Sequence, residues 1–207
     1  MKVLLKIASL EKKYNENVVF TSLSFDIPEK SIFWIKGING SGKSTLMKIL
    51  SSQIEDYQGD IWYSEKNIKK FDYKIYNEIF YLPTSPNLYD SLSARENIDF
   101  FSKIFLSKGL NNRAHLIDAF QVEKHLNKRT NELSDGIKKK ISLIISFLIN
   151  PKVLIFDEPY NYLDASSVES LNRVIKEYND SGATFVISDN SSLISKLKPN
   201  GSLGLEV

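Results

Sequence analysis

Apolar and polar residues alternate over short distances in the first third of the chain, which is the pattern of half-buried β-strands. Runs rich in branched and aromatic side chains are separated by charged or turn-forming positions such as Asn15 and Pro28. The runs predicted as strands are 3–7, 18–20, 24–27, 32–36, 59–64 and 79–82. We therefore expect this part of the chain to be mainly β-structure.

The period changes to a helical one in the middle of the chain. Ser93 followed by Glu96 forms a capping box, and apolar residues then recur at helical spacing. Two further helices are predicted over about 112–122 and 135–149. The middle third is therefore predicted to be a helical insertion.

The last third returns to strands. The uninterrupted apolar run at 153–156 predicts a strand that is buried on both faces, as in a parallel sheet, and TFVIS at 184–188 predicts a further strand. Between them we predict a helix over about 167–179, opened by Ser166 and Glu169. The whole pattern predicts an α/β core.

Composition restricts the class of function. The chain has 207 residues, enough for one domain or one domain with a subdomain. Its 27 basic and 25 acidic residues give a net charge of +2, which provides no reason to expect nucleic acid as a partner. It has no cysteine, so disulfides and thiolate metal sites are excluded.

No segment of the sequence predicts a membrane span. The longest apolar run, ISLIISFLI at 141–149, is far shorter than the roughly 20 residues that cross a bilayer. The N-terminal run is interrupted by Lys6 and followed at once by charge, so we interpret it as a strand rather than a leader. Any membrane role would have to come through a partner.

Residues 37–45, GINGSGKST, fit the phosphate-loop pattern G-x-x-x-x-G-K-[ST] between a predicted strand and a predicted helix. Glycines allow backbone N–H groups to curl around a polyphosphate at the positive end of a helix. Lys43 would bridge the β- and γ-phosphates, and Ser44 would ligate Mg²⁺. The residues predicted to bind ATP here are Gly37, Asn39, Gly40, Ser41, Gly42, Lys43, Ser44 and Thr45.

A second motif agrees with the first. The apolar strand VLIFDEP at 153–159 ends in Asp157 and Glu158, about a hundred residues after the phosphate loop. Asp157 is placed to hold Mg²⁺, and Glu158 could orient and deprotonate an attacking water. Together the motifs predict a site that binds a nucleotide with Mg²⁺.

These motifs, with NELSDGIKKKISLIISFLINP between them, resemble the nucleotide-binding domain of the ABC transporter family. LSDGI at 133–137 is similar to its signature, YNYLD at 160–164 to its D-loop, and 81–98 to its Q-loop and the start of its helical subdomain. The likeness covers nearly the whole chain, and the short length is similar to that of compact ATPase subunits such as the haem-exporter type. It implies a P-loop NTPase core with a mixed sheet, an N-terminal antiparallel β subdomain and an inserted helical subdomain.

The resemblance also implies how the chain is organised and with what it assembles. One domain of residues 1–207 would consist of a core and β subdomain at about 1–84 and 150–207 and a helical subdomain at about 85–149. Two copies, or this chain and a paralogue, would close head to tail around ATP. Tyr14 would stack on adenine, and Ser134 and Gly136 would contact the γ-phosphate held by the other copy. Separate transmembrane permease subunits would place the protein on the cytoplasmic face of the membrane.

Several positions depart from the family pattern. Thr84 stands where the family has a glutamine that helps to ligate Mg²⁺, and Asn190 stands near its switch histidine. If the alignment shifts by one residue, Asp189 would face the phosphate instead. Asp135 and Ile137 also replace the usual signature residues, and bulky Tyr160 and Tyr162 occupy the D-loop. We expect ATP binding to survive and turnover to be slow, because loss of one preorganised donor costs on the order of 10²–10³ in rate.

Three functions remain open at this stage. The first is the ATPase subunit of a transporter, the second a soluble ABC-type ATPase, and the third a clamp that binds nucleotide without efficient hydrolysis. Lys138–Lys140 is interpreted as a solvated face or, alternatively, as a contact to a partner or to phosphate. The aromatic residues around Phe100 are interpreted as core or, alternatively, as a groove for a membrane subunit.

Overall fold

Two separate sheets carry the strands of this chain. The computed structural model describes residues 2–70, 78–105, 112–191 and 193–205. The strands are β1 (Val3–Tyr14), β2 (Asn17–Pro28), β3 (Ile32–Lys36), β4 (Gln58–Tyr63), β5 (Lys66–Asn67), β6 (Ile79–Leu82), β7 (Val153–Asp157), β8 (Thr184–Ser188) and β9 (Gly201–Gly204). The helices are α1 (Lys43–Leu50), α2 (Ala94–Ile104), α3 (Arg113–Ala119), α4 (Asp135–Ile149) and α5 (Ala165–Asp180).

The first sheet is antiparallel, with the order β2-β1-β4-β5. The two runs predicted at 18–20 and 24–27 belong to one twelve-residue strand, β2. The register between β1 and β2 shifts at several points, and Ser9 and Ser22 have φ values of 49° and 51°. Such irregularities break the apolar alternation without ending the strand, which is why the sequence predicted shorter pieces.

The second sheet has the order β6-β7-β8-β3-β9, and all its pairings among the described residues are parallel. The predicted α/β class is confirmed. The mixture of parallel and antiparallel pairs expected of the core is divided between the two sheets. Strands β5 and β9, which are short and weakly apolar, were not predicted.

Both faces of the parallel sheet are covered by apolar side chains. Alternate residues of β7 face opposite sides, so that Val153 and Ile155 belong to one buried cluster and Leu154 and Phe156 to the other. Helix α1 and the antiparallel sheet contribute to the first cluster, and helices α4 and α5 to the second. Burial on both faces explains why β7 reads as a continuous apolar run up to Asp157.

Most predicted helices lie where the sequence placed them. Ser93 caps α2 and makes the predicted capping box with Glu96, while α4 covers the predicted range. Helices α2 to α4 lie within 85–149; the division of the chain into subdomains there stays a prediction. In the parts of the chain that the structure describes, no helix has both the length and the apolar character needed to cross a bilayer.

The predicted start of α5 was wrong. Asp164, not Ser166, is its N-cap, because an Asp164 carboxylate oxygen accepts a hydrogen bond from the Ser167 N–H at 2.8 Å. The Ser166 hydroxyl instead donates to Asp164. The sequence signal was ambiguous because aspartate and serine are both good caps and lie two residues apart.

We predict that Asp164→Ala lowers the free energy of unfolding by about 1 kcal/mol, the usual cost of losing an N-cap side chain. Urea unfolding followed by circular dichroism measures the change. Ser166→Ala is the control and is expected to cost less than about 0.5 kcal/mol. Equal losses for the two variants would contradict the assignment of Asp164 as the cap.

Candidate functional site

A cavity of about 520 Å³ lies at the carboxyl ends of the parallel strands. This is the edge at which open α/β sheets hold their ligands. The residues lining the cavity come from the phosphate loop, the antiparallel sheet and the ends of β6 and β7. They are Tyr14, Val19, Asn39, Gly40, Gly42, Lys43, Ser44, Thr45, Thr84 and Glu158. All but Val19 were predicted to bind nucleotide, Mg²⁺ or the attacking water.

The phosphate loop joins β3 to α1. Gly42 is the N-cap of α1 with φ 91°, a left-handed conformation that favours glycine, and no side chain caps the helix. The N-terminal N–H groups of α1 are therefore left for an anion, which the helix dipole also favours. Among the described residues, the buried Ser41 hydroxyl has no hydrogen-bond partner. Gly37 and Ser41 are not among the residues that line the cavity.

The ammonium group of Lys43 lies inside the same loop. It donates to the carbonyl oxygens of Gly37 at 2.8 Å and Ile38 at 3.0 Å, and only 4% of the residue is exposed. A carboxylate oxygen of Glu158 lies 3.9 Å from it. A single cation thus sits between the loop and the acidic side of the cavity.

Asp157 is held rigidly at the end of β7. It is 2% exposed and accepts hydrogen bonds from the hydroxyl groups of Ser188, at 2.6 Å, and Tyr81, at 3.1 Å. The register of β7 and β8 places Asp157 directly opposite Ser188. Burial, and secondarily the charge of Asp157, raises the pKa of Tyr81 well above its usual range, so Tyr81 remains a donor.

Glu158 follows in a left-handed conformation, with φ 46°. This costs roughly 1–2 kcal/mol for a residue with a side chain, and the Glu158 N–H is fixed by the carbonyl and hydroxyl oxygens of Ser188. The turn brings the Glu158 carboxylate to the cavity. Its two oxygens accept from the side-chain amides of Asn190, at 2.9 Å, and Asn161, at 2.8 Å.

Asn190 links the two sides of the site. Its amide donates to Asn39 in the phosphate loop as well as to Glu158. Asp189 does not contact these groups: it is 5% exposed and accepts from the Ser191 hydroxyl and the Ile194 N–H. Among the alternatives left open by the sequence, Asn190 is therefore the residue that contacts Glu158.

Tyr14, at the end of β1, and Thr84, after β6, both line the cavity. The Tyr14 ring is half-exposed, and the ammonium of buried Lys12 lies 4.5 Å from its centre and 2.9 Å from the Asp56 carboxylate. Thr84 follows β6 and lines the cavity. Its carbonyl oxygen accepts a hydrogen bond from Lys139 at 2.9 Å.

The basic run 138–140 was expected to be a solvated face. This expectation was wrong. Lys139 is fully buried and donates to the carbonyl oxygens of Pro83 and Thr84. Lys140 is 9% exposed and lies 3.4 Å from the Asp164 carboxylate, whereas Lys138 is partly exposed and lies 3.8 Å from Asp90. The expectation failed because successive residues on a helix point in different directions, and charge alone does not reveal burial.

Ser134 and Gly136 lie apart from the cavity of their own chain. Ser134 is exposed and caps α4, and its hydroxyl accepts from the Ile137 N–H at 3.4 Å. A Cβ on Gly136 would lie 2.7 Å from the Tyr162 carbonyl oxygen, so only glycine allows this contact between α4 and the loop 160–164. Ser134 and Gly136 lie close to each other at the start of α4 but are not in the cavity that Lys43 lines. Their roles remain predictions.

Four contacting residues were missed by the sequence interpretation: Ser188, Tyr81, Asn161 and Lys139. Ser188 could have been found, because a hydroxyl ending the strand after 184 must meet the end of a neighbouring parallel strand. The other three depend on side-chain directions in loops and on a helix, for which the sequence gives no period.

The cavity fits the triphosphate and the metal ion that the motifs predict. It offers the N–H groups at the start of α1 and the Lys43 cation for phosphates, and an aromatic ring at Tyr14 for a base. In the described ranges no cluster of three or more acidic, histidine or cysteine side chains could hold a metal ion alone. Mg²⁺ bound here would therefore depend on phosphate oxygens and water, as is usual for this ion. Of its predicted ligands, Ser44 and Thr84 line the cavity, whereas Asp157 is not among the lining residues and its two carboxylate oxygens accept from Ser188 and Tyr81.

Comparison with known proteins gives a consistent result. A family model described as ABC transporter matches residues 20–161. An uncharacterised ABC transporter ATP-binding protein of Bacillus subtilis is 29% identical over 191 residues, and one of Methanocaldococcus jannaschii is 30% identical over 194. These matches cover 89% and 91% of this chain but only 62% and 68% of the two relatives.

A solved structure supports the fold. It is a dimeric ATP-binding cassette in a post-hydrolysis state, bound to ADP and Pi, with a TM-score of 0.86 and 23% identity. The match covers 98% of this chain and 94% of that one.

Burial lowers the pKa of Lys139 from 10.5 to about 8, although Asp157 and Glu158 oppose the shift. Between these pH values the unfolded chain binds more protons than the folded chain at this residue, so its contribution to stability rises with pH. We predict that wild type gains about 3 kcal/mol in free energy of unfolding relative to Lys139→Met between pH 7 and pH 10.5. Urea unfolding of both proteins across this range measures the difference.

The partly exposed neighbour provides the control. Lys138→Met, on the same helix but at a partly exposed position, is measured alongside it, and the gain with pH is expected to be larger for the buried position. If the difference in free energy of unfolding between wild type and Lys139→Met did not change with pH, this would contradict the prediction and show that water reaches the Lys139 ammonium.

Proposed function

Because this chain belongs to the ABC transporter family, we propose that it is an ATP-binding subunit that binds and hydrolyses Mg-ATP. In this proposal two copies, or this chain and a paralogue, close head to tail around the nucleotide. Closure and hydrolysis drive transport by separate transmembrane subunits. The observation that carries the proposal is one cavity that is lined both by the phosphate loop and by the carboxylate of Glu158, which directly follows β7.

The predicted residues have distinct tasks in binding. Tyr14 stacks on the adenine with the ring face that Lys12 leaves free. The N–H groups at the start of α1 and the ammonium of Lys43 hold the phosphates, for which Lys43 exchanges its carbonyl partners in the loop. Ser44, Asp157 and Thr84 hold Mg²⁺, which neutralises charge on the phosphates.

Glu158 is the catalytic carboxylate in this proposal. It holds the attacking water and accepts its proton, while Asn190 and Asn161 orient it through their amides. Asn190 can donate a neutral hydrogen bond to the γ-phosphate but cannot carry a positive charge there. We therefore propose slow rather than absent turnover.

The position of Ser134 and Gly136 supports the dimer. They lie at the N-terminus of the fifteen-residue helix α4, away from the cavity of the same chain. A second copy related head to tail brings them to the first copy's γ-phosphate, where a hydroxyl and helix N–H groups bind an anion. The dimeric cassette found among the solved structures has the same fold.

An exposed aromatic surface is available to a membrane partner. Tyr89, Phe100 and Ile104 are 51%, 37% and 56% exposed, and the first two rings pack edge to face at 5.0 Å. We propose that a transmembrane permease subunit docks here and holds the protein on the cytoplasmic face of the membrane. Co-purification with a membrane protein, lost in Phe100→Ala, would separate this function from that of a soluble ABC-type ATPase.

A second candidate function is a nucleotide-gated clamp with little hydrolysis. The observation in its favour is that both carboxylate oxygens of Glu158 already accept amide hydrogen bonds. Binding alone would then drive association of the two copies.

We predict that Lys43→Ala weakens the binding of Mg-ATP at least tenfold, because hydrogen bonds to a charged group contribute about 1.5–3 kcal/mol. Isothermal titration calorimetry of the purified chain measures the dissociation constant. Lys36→Ala is the matched control, since Lys36 is an exposed lysine at the end of β3 and should bind as wild type. Unchanged binding by Lys43→Ala would rule out the proposed site.

We predict that Asn190→His raises kcat about tenfold or more, because it adds a group that can become cationic at the γ-phosphate. Glu158→Gln should abolish turnover and leave ATP binding intact. Steady-state phosphate release measures both. Wild-type turnover equal to that of Glu158→Gln would favour the clamp, and a high wild-type rate unaffected by Asn190→His would contradict slow turnover.

A further inference from the structure

Lys139 is the one fully buried lysine among the described residues. Its ammonium donates to the carbonyl oxygens of Pro83, at 3.2 Å, and Thr84, at 2.9 Å. No carboxylate of the described ranges forms an ion pair with it, although Asp157 and Glu158 attract its charge. Burying a cation without an ion pair costs desolvation free energy, so the presence of Lys139 at this helix position calls for an explanation.

The three lysines in a row tie α4 to three different segments. Lys138 faces Asp90, Lys140 faces Asp164 at the start of α5, and Lys139 faces the loop that follows β6. The two outer contacts are ion pairs with carboxylates that are 72% and 62% exposed, and such pairs contribute little. Only the contact of Lys139 is shielded from water, and it is directed at main-chain atoms whose position does not depend on a rotamer.

The loop at 83–84 connects that contact to the nucleotide. Thr84 lines the cavity, while its carbonyl oxygen is held by Lys139. The other end of the link is α4, whose N-cap Ser134 lies five residues before Lys139. One side chain therefore joins the wall of one cavity to the helix terminus that, under the proposed function, meets the nucleotide of the second copy.

We propose that Lys139 is a positioning residue that fastens the loop at Thr84 to helix α4, so that the cavity wall and the N-terminus of α4 move as one unit. The inference rests on the proposed function. Lys139 does not touch the nucleotide; its effect on turnover comes from placing Thr84 and Ser134 in register when two copies close.

The test compares Lys139→Met, which removes charge and donors, with Lys139→Gln, which keeps a neutral donor, and with Lys138→Met on the same helix. Hydrogen–deuterium exchange of residues 82–87 reports the fastening without requiring activity. We expect faster exchange there in Lys139→Met, smaller changes in Lys139→Gln, and none in Lys138→Met. Exchange equal to wild type in folded Lys139→Met would overturn the proposal.

Kinetics and binding separate positioning from a general structural role. We expect kcat of Lys139→Met to fall at least tenfold, while the dissociation constant for ADP measured by calorimetry changes less than threefold and the melting temperature is retained. Partial recovery of kcat in Lys139→Gln is expected. A loss of ADP binding as large as the loss of kcat, unchanged kcat, or unfolding of both Lys139 variants would each overturn it.

Failure of the proposed function gives a different result. If the wild-type chain neither binds nor hydrolyses ATP, the ATPase assignment fails, and the exchange measurement on the nucleotide-free chain still decides whether Lys139 fastens the loop. If wild type is active and the Lys139 variants match it in exchange and in kcat, only the positioning role fails.

Discussion

The parallel pairing of β7 with β8 holds the candidate site together. Both strands are buried along their whole length, and their register sets Asp157 opposite Ser188. The Ser188 hydroxyl donates a hydrogen bond to Asp157. The hydroxyl and carbonyl oxygens of Ser188 both accept from the Glu158 N–H and so fix the strained backbone of Glu158. Because β8 also pairs with β3, the same arrangement places these groups beside the phosphate loop. Apolar burial of two strands is thus what aligns the charged residues.

The site balances acidic groups with few cations and several amides. Lys43 is the cation nearest to Glu158, and the remaining contacts of that carboxylate are the neutral amides of Asn161 and Asn190. Neutral donors orient a carboxylate without adding positive charge to the site. The departure at Asn190 from the family pattern therefore keeps the geometry of Glu158 while changing the charge available to the phosphates.

Sequence patterns predicted the parts of this molecule that depend on local rules. The phosphate loop, the strand ending in Asp157 and the helix capped by Ser93 have their own spacing, so they could be placed without the fold. What failed depends on tertiary contacts. Two cap residues competed at the start of α5, bulges divided β2, and the burial of Lys139 follows from a loop some 55 residues earlier in the chain. The tasks of the individual site residues, including Thr84, remain predictions.

The order of strands in the parallel sheet has a consequence for how the protein is made. β3 carries the phosphate loop and lies between β8 and β9, which are formed by residues 184–188 and 201–204. The Leu205 N–H also donates to the Lys36 carbonyl, immediately before Gly37. During synthesis on a ribosome, β3 emerges some 150 residues before either neighbour, and pairings so distant along the chain form slowly. Until β8 and β9 are synthesised, the phosphate loop therefore lacks the strand pairings that hold it in place. During that time the apolar segment 32–35 is exposed and is a candidate for chaperone binding.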